Sequence, residues 1–116
     1  MTVTIYHNPR CSKSRQTLAL LREHGIEPDI VEYLKEPPTT SELKRIIDLL
    51  GLSPRQLLRT GEAEYRAEGL ADETIDDTAL IAAMCDYPRL IQRPIVLAGD
   101  QARIGRPPET VLDILP

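Results

Sequence analysis

The residues best placed to do chemistry lie in the run HNPRCSKSR, where Cys11 has His7 upstream and Arg10, Lys13 and Arg15 close by. The run sits between a strand-like stretch and a helix-like stretch. A cysteine there meets the free N–H groups and the positive end of the helix dipole, both of which favour an anion. The thiolate is the attacking form, so this placement and the neighbouring cations should lower the thiol pKa and activate Cys11. Ser12 and Ser14 offer hydroxyl donors to the thiolate, and His7 sits on the strand side, where it could hold or tune it. The bland alternative is a small residue filling a turn; the coincidence of helix start, cations and hydroxyls favours the reactive one.

Absences narrow the chemistry. The motif CSKS is C-x-x-S, so no dithiol cycle closes within the loop. The phosphatase-like spacing C-x5-R is also missing, because that offset from Cys11 falls on Thr17. An adduct on Cys11 would therefore need an outside thiol to resolve it. The other cysteine, Cys85, lies in the apolar run ALIAAMCDY and reads as a buried structural thiol. His7, His24 and the two cysteines show no paired metal-ligand spacing, so no structural zinc is expected.

The chain has 116 residues and a net charge of −4, which fits one globular domain and argues against general nucleic-acid binding. With no Phe or Trp and only 4 Tyr, its core must be aliphatic. No basic leader precedes TVTIY and no apolar run approaches the ~20 residues of a membrane span, so the expectation is a cytoplasmic protein with reduced thiols.

The elements that must position Cys11 follow from periodicity. VTIY alternates and is β-branched, as a first strand should be. A helix is expected from about Ser12 to His24, stopped by Gly25, and EPDIVEYL reads as a second strand, giving a parallel βαβ unit. The middle is helical: PPTTSELKRIIDLLG opens with Thr39 and Glu42 in capping-box spacing, SPRQLLRTG is capped by Ser53 with Pro54 at its first position, and DDTALIAAMCDYP is capped by Asp76 or Asp77. GEAEYRAEGLADE suggests a short polar helix and loop. The period then changes: PIVLAGDQARIG predicts two strands around a turn at Gly99 and Asp100, and RPPETVLDILP a closing helix. The order β-α-β, helices, β-β-α is that of a thioredoxin-like α/β fold with a mixed sheet and a helical insertion at about 39–88, in a single domain spanning 1–116.

With those residues in place, the sequence resembles the glutaredoxin-coupled arsenate reductase family, its short bacterial members especially. The resemblance covers essentially the whole chain, from IYHNPRCSKSRQTL through LLRTGEAEY and RPIV to GRPPETVLDIL. It implies a Cys11 thiolate that attacks arsenate, with glutathione and glutaredoxin as reductants and no bound cofactor. By motif it assigns oxyanion binding to Arg59, Arg93 and Arg106, supporting roles to His7, Ser14 and Arg15, and a cis-proline to Pro94. Charge chemistry agrees, since a thiolate approaching arsenate needs fixed cations, and guanidinium offers paired donors to a tetrahedral oxyanion. Arg59 is expected on a helix, while Arg93 and Arg106 flank strands.

Two alternatives remain open on sequence. Spx-type regulators share the fold and bind RNA polymerase, but they use a C-x-x-C switch, and Ser14 occupies the second cysteine position here. A thiol reductase acting on another oxyanion or on glutathionylated proteins would present the same residues.

Overall fold

A computed structural model describes residues 2–116. The chain divides into two compact units, Met1–Glu36 with Arg93–Pro116, and Pro37–Gln92.

The first unit is built on a four-stranded sheet in the order β2-β1-β3-β4. Strand β1 (Val3–Tyr6) pairs in parallel with β2 (Asp29–Val31) and antiparallel with β3 (Ile95–Ala98), which pairs antiparallel with β4 (Gln101–Ile104). The alternation in VTIY sends Val3 and Ile5 into a core shared with Leu21, Val96, Ala98, Val111 and Ile114. Each aliphatic side chain fully buried in this way stabilises the fold by about 1.5–3 kcal/mol. Gly99 takes φ 62° and, among the described residues, no non-glycine residue has positive φ, which suits a two-residue II′ turn between β3 and β4.

Helix α1 (Ser12–Glu23) starts at Cys11 as N-cap and turns Ser14, Thr17 and Leu21 inward at helical spacing. Its end is closed by Gly25 at φ 75°, with the Ile26 N–H donating back to the Leu21 carbonyl at 3.0 Å.

Three features of this unit depart from expectation. β2 is shorter than EPDIVEYL because the backbone turns after Val31: the amides of Lys35 and Glu36 both donate to the Glu32 carbonyl at 2.9 Å. The closing segment Pro108–Ile114 is a 3-10 helix rather than an α-helix. Its three-residue period puts Pro108, Val111 and Ile114 on one buried face, whereas an α-helical period would rotate one of them away. The Arg106–Pro107 bond is cis, as is Arg93–Pro94.

The second unit is helical: α2 (Thr40–Leu50), α3 (Pro54–Leu57), α4 (Ala63–Ala67) and α5 (Asp77–Asp86), then a 3-10 turn at Pro88–Leu90. Thr39 caps α2 by accepting from the Glu42 amide, Ser53 and Gln56 form a reciprocal capping box on α3, and Asp76 caps α5. Leu43, Ile46 and Ile47 of α2 are buried where that helix packs on α5, which buries Leu80, Ile81 and Met84. α3 ends earlier than SPRQLLRTG suggests. Leu58 forms an antiparallel bridge with Ile91, and the flanking amides of Arg59 and Gln92 donate to Leu90 and Leu57 at 2.7 and 3.0 Å. Those long-range bonds hold the segment extended. Among the described residues, no helix is long and apolar enough to cross a membrane.

Candidate active site

The loop between β1 and α1 is fixed by its own polar groups. The Asn8 carbonyl accepts from the Cys11 amide at 3.0 Å, and the Asn8 side-chain oxygen accepts from the Arg10 amide at 3.0 Å. Ser14 Oγ accepts from the Asn8 amide at 3.0 Å and lies 2.7 Å from His7 Nδ1. Burial holds His7 below its ordinary pKa, favouring the neutral ring; Glu32 opposes this and the Arg22 and Arg15 charges add to it. We therefore assign the Ser14 hydroxyl as donor to Nδ1. His7 and Ser14 are both buried, so their bond ties the end of β1 to the first turn of α1.

Cys11 is 6% exposed. Burial alone would raise its pKa, but the net shift is downward. The Ser14 N–H, the Arg93 guanidinium by hydrogen bond and by charge, and the Lys13 N–H outweigh the burial. As N-cap, the thiol makes no capping hydrogen bond, so the amides at the head of α1 are left for the thiolate. The serine and lysine expected beside Cys11 thus act through their backbone. The Ser14 hydroxyl is engaged with His7 and Asn8, and Ser12 points to solvent.

Two arginines from distant segments meet this thiol. Arg106 Nη2 lies 4.0 Å from Cys11 Sγ, and Arg106 Nε donates to the Arg93 carbonyl at 2.8 Å. That bond couples the segment before β3 to the one after β4. Arg93 Nε and Nη1 are buried and have no hydrogen-bond partner. Buried donors are nearly always satisfied. Their vacancy beside an activated thiol is what an oxyanion would fill. Arg15 is spent otherwise: its Nη1 donates to the Pro9 carbonyl at 3.0 Å, bracing the loop.

The arrangement suits a soft nucleophile attacking an oxyanion, and the sequence comparisons point the same way. The model of the ArsC family matches residues 6–114. The chain belongs to the ArsC family. It is 51% identical over 116 residues to the arsenate reductase of Rhizobium meliloti, covering 100% of this chain and 83% of that protein. It is 53% identical over 114 residues to the uncharacterized Escherichia coli protein YfgD, covering 97% and 96% of the two chains. The solved arsenate reductase from Vibrio cholerae superposes with a TM-score of 0.96 at 52% identity, covering 99% of this chain and 98% of its own. The thioredoxin-like fold expected from the sequence is the fold of these ArsC-family structures.

Arg59 belongs to the second unit and lies in the extended segment after α3, not on a helix as the sequence suggested. Its Nη1 pairs with Glu62 at 2.6 Å, and the other Glu62 oxygen holds Arg89 at 3.0 Å. Sequence reasoning missed Glu62, although an acid three residues beyond Arg59 in RTGE was a usable signal. It also missed Asn8, whose backbone and side chain organise the loop. Cys85 is half-buried, and burial, with the Asp86 and Glu42 charges, pushes its thiol up, which keeps it inert.

Proposed function

We propose that this chain is an arsenate reductase that uses Cys11 as nucleophile, with glutathione and glutaredoxin supplying the electrons. The observation that carries the reading is the pair of buried, unpartnered Arg93 nitrogens beside a thiol whose pKa is already lowered. The arsenate reductases to which the chain is similar support the choice of oxyanion. Arg93 and Arg106 bind the arsenate oxygens and offset the repulsion between thiolate and anion. The third guanidinium, Arg59, is assigned by the family motif LLRTG alone, and within its own unit it pairs with Glu62. His7 and Ser14 hold the loop that aims Cys11.

The step balances as follows. The Cys11 thiolate attacks arsenic(V) and forms an S–As bond, and one arsenate oxygen leaves as water after protonation. Glutathione thiolate then bonds to the Cys11 sulfur while the S–As electron pair returns to arsenic, releasing arsenite. Two thiols are oxidised to one disulfide and arsenic is reduced by two electrons. Glutaredoxin and a second glutathione reduce the Cys11–glutathione disulfide. With Cys85 inert and no second cysteine near Cys11 in sequence, the resolving thiol comes from outside.

Arsenite production by purified protein supplied with glutathione and glutaredoxin tests the reading. Turnover is expected, with loss in Cys11→Ser and dependence on both reductants. Undiminished turnover in Cys11→Ser overturns the mechanism, and no turnover with arsenate overturns the assignment of substrate.

A further inference from the structure

We propose that Gly105 is a positioning residue that sets the distance from the Cys11 thiol to the guanidinium groups of Arg93 and Arg106. The proposal builds on the oxyanion site above but is read out without arsenate turnover. Gly25, Gly51, Gly69 and Gly99 adopt positive φ, and Gly105 does not. It is therefore not needed for its backbone freedom. What excludes a side chain is space.

A Cβ at Gly105 would lie 2.5 Å from Thr17 Oγ1, 3.1 Å from Thr17 Cγ2 and 2.9 Å from Pro94 Cγ. The contacts to Thr17 Oγ1 and Pro94 Cγ are closer than a carbon can sit and the third is tight, so a side chain must push the two walls apart. Both walls belong to the site. Thr17 is fully buried on α1, and its hydroxyl donates to the carbonyl of Lys13 at 2.8 Å. Lys13 is one of the two residues whose amides favour the Cys11 thiolate. Pro94 follows Arg93, and its carbonyl accepts from the Gly105 amide at 2.9 Å. Gly105 itself precedes Arg106, which reaches both the Arg93 carbonyl and Cys11 Sγ. The nucleophile's helix, the Arg93 segment and the Arg106 segment thus touch at one residue that has no room to grow.

A packing role would lower stability and leave the thiol's titration alone. The test is the pH dependence of Cys11 alkylation by iodoacetamide, in a Cys85→Ser background, for Gly105→Ala, Thr17→Ala and the double variant. Retreat of one guanidinium from about 4 to 5 Å raises the alkylation midpoint by about half a pH unit at an effective dielectric of ~20. Gly105→Ala is expected to show at least that rise, and arsenate to protect Cys11 less than in the parent. Thr17→Ala removes two of the three contacts, so the double variant keeps a smaller rise, measurable where the single variant does not fold. An unchanged midpoint in folded Gly105→Ala, or in the double variant if the single does not fold, overturns the proposal. If arsenate fails to protect even the parent, the oxyanion reading falls, while the midpoint still decides the role of Gly105.

Discussion

Replacing Arg93 by methionine should cripple the thiolate without weakening the fold. Methionine keeps the length and apolar stem of the side chain and removes only the charged head. A hydrogen bond from a charged donor contributes roughly 1.5–3 kcal/mol. At 1.36 kcal/mol per pKa unit, its loss raises the Cys11 pKa by about one to two units. The Ser14 and Lys13 amides remain, and so does the burial that opposes them. Cys11 should therefore lose the downward shift that Arg93 supplies, with burial opposing what remains.

The rate effect is smaller than the thiolate loss. A thiolate of higher pKa is intrinsically more nucleophilic, with a Brønsted slope of ~0.4–0.5, so about half of the deficit is recovered. Iodoacetamide alkylation at pH 7 should slow by about 3- to 10-fold, with its midpoint displaced upward. Stability moves the other way. Arg93 Nε and Nη1 are buried without partners, a state that costs about 1–3 kcal/mol per group, so Arg93→Met should unfold at the same or a higher urea concentration. An unmoved alkylation midpoint refutes the account of Cys11 activation. A large loss of stability refutes the account of Arg93 as a vacant donor.

Other consequences can be measured alongside. Arg89→Ala breaks the support behind Glu62, which pairs with Arg59; the Arg89 side chain is 62% exposed. An exposed pair is worth up to ~1 kcal/mol, so the unfolding free energy from urea titration should fall by no more than about that amount; a larger loss would refute the reading of Arg89 as an exposed partner of Glu62. For His7 the folded pKa lies below the ordinary ~6.5, so its contribution to stability is complete above that pH and is lost as pH falls through the folded value. Urea midpoints of the parent should drop between pH 7.5 and 5.5, and His7→Gln should flatten that drop; equal slopes in the two proteins would count against a buried neutral imidazole.

What the sequence made legible was local. The N-cap position of Cys11, the caps at Thr39, Ser53 and Asp76 and the turn at Gly99 each depend on residues within four of one another. What it hid was decided by distant partners. Helix α3 stops early because Leu58 finds Ile91, and RPPETVLDILP winds as a 3-10 helix because Pro108, Val111 and Ile114 must all face one core. The serine hydroxyl expected on the thiolate goes to His7 and Asn8, a choice that exists only once β1 and α1 are packed. Arg106 reaches Cys11 across 95 residues, which motif resemblance could suggest and periodicity could not.

An acidic chain can still hold an anion site, because the ion pairs of the fold tie carboxylates to other cations and leave the cations at Cys11 free of them. Glu62 and Glu64 engage Arg59 and Arg89, Glu27 engages Arg22, and Glu32 engages Lys35. Arg55 and Arg15 are taken up by backbone carbonyls. Among the described residues, the buried cationic nitrogens left without a partner are those of Arg93. Net charge therefore says little about this protein's ligand. The decisive quantity is which buried guanidinium nitrogens the fold leaves unpaired, and it leaves two of Arg93 beside the thiolate.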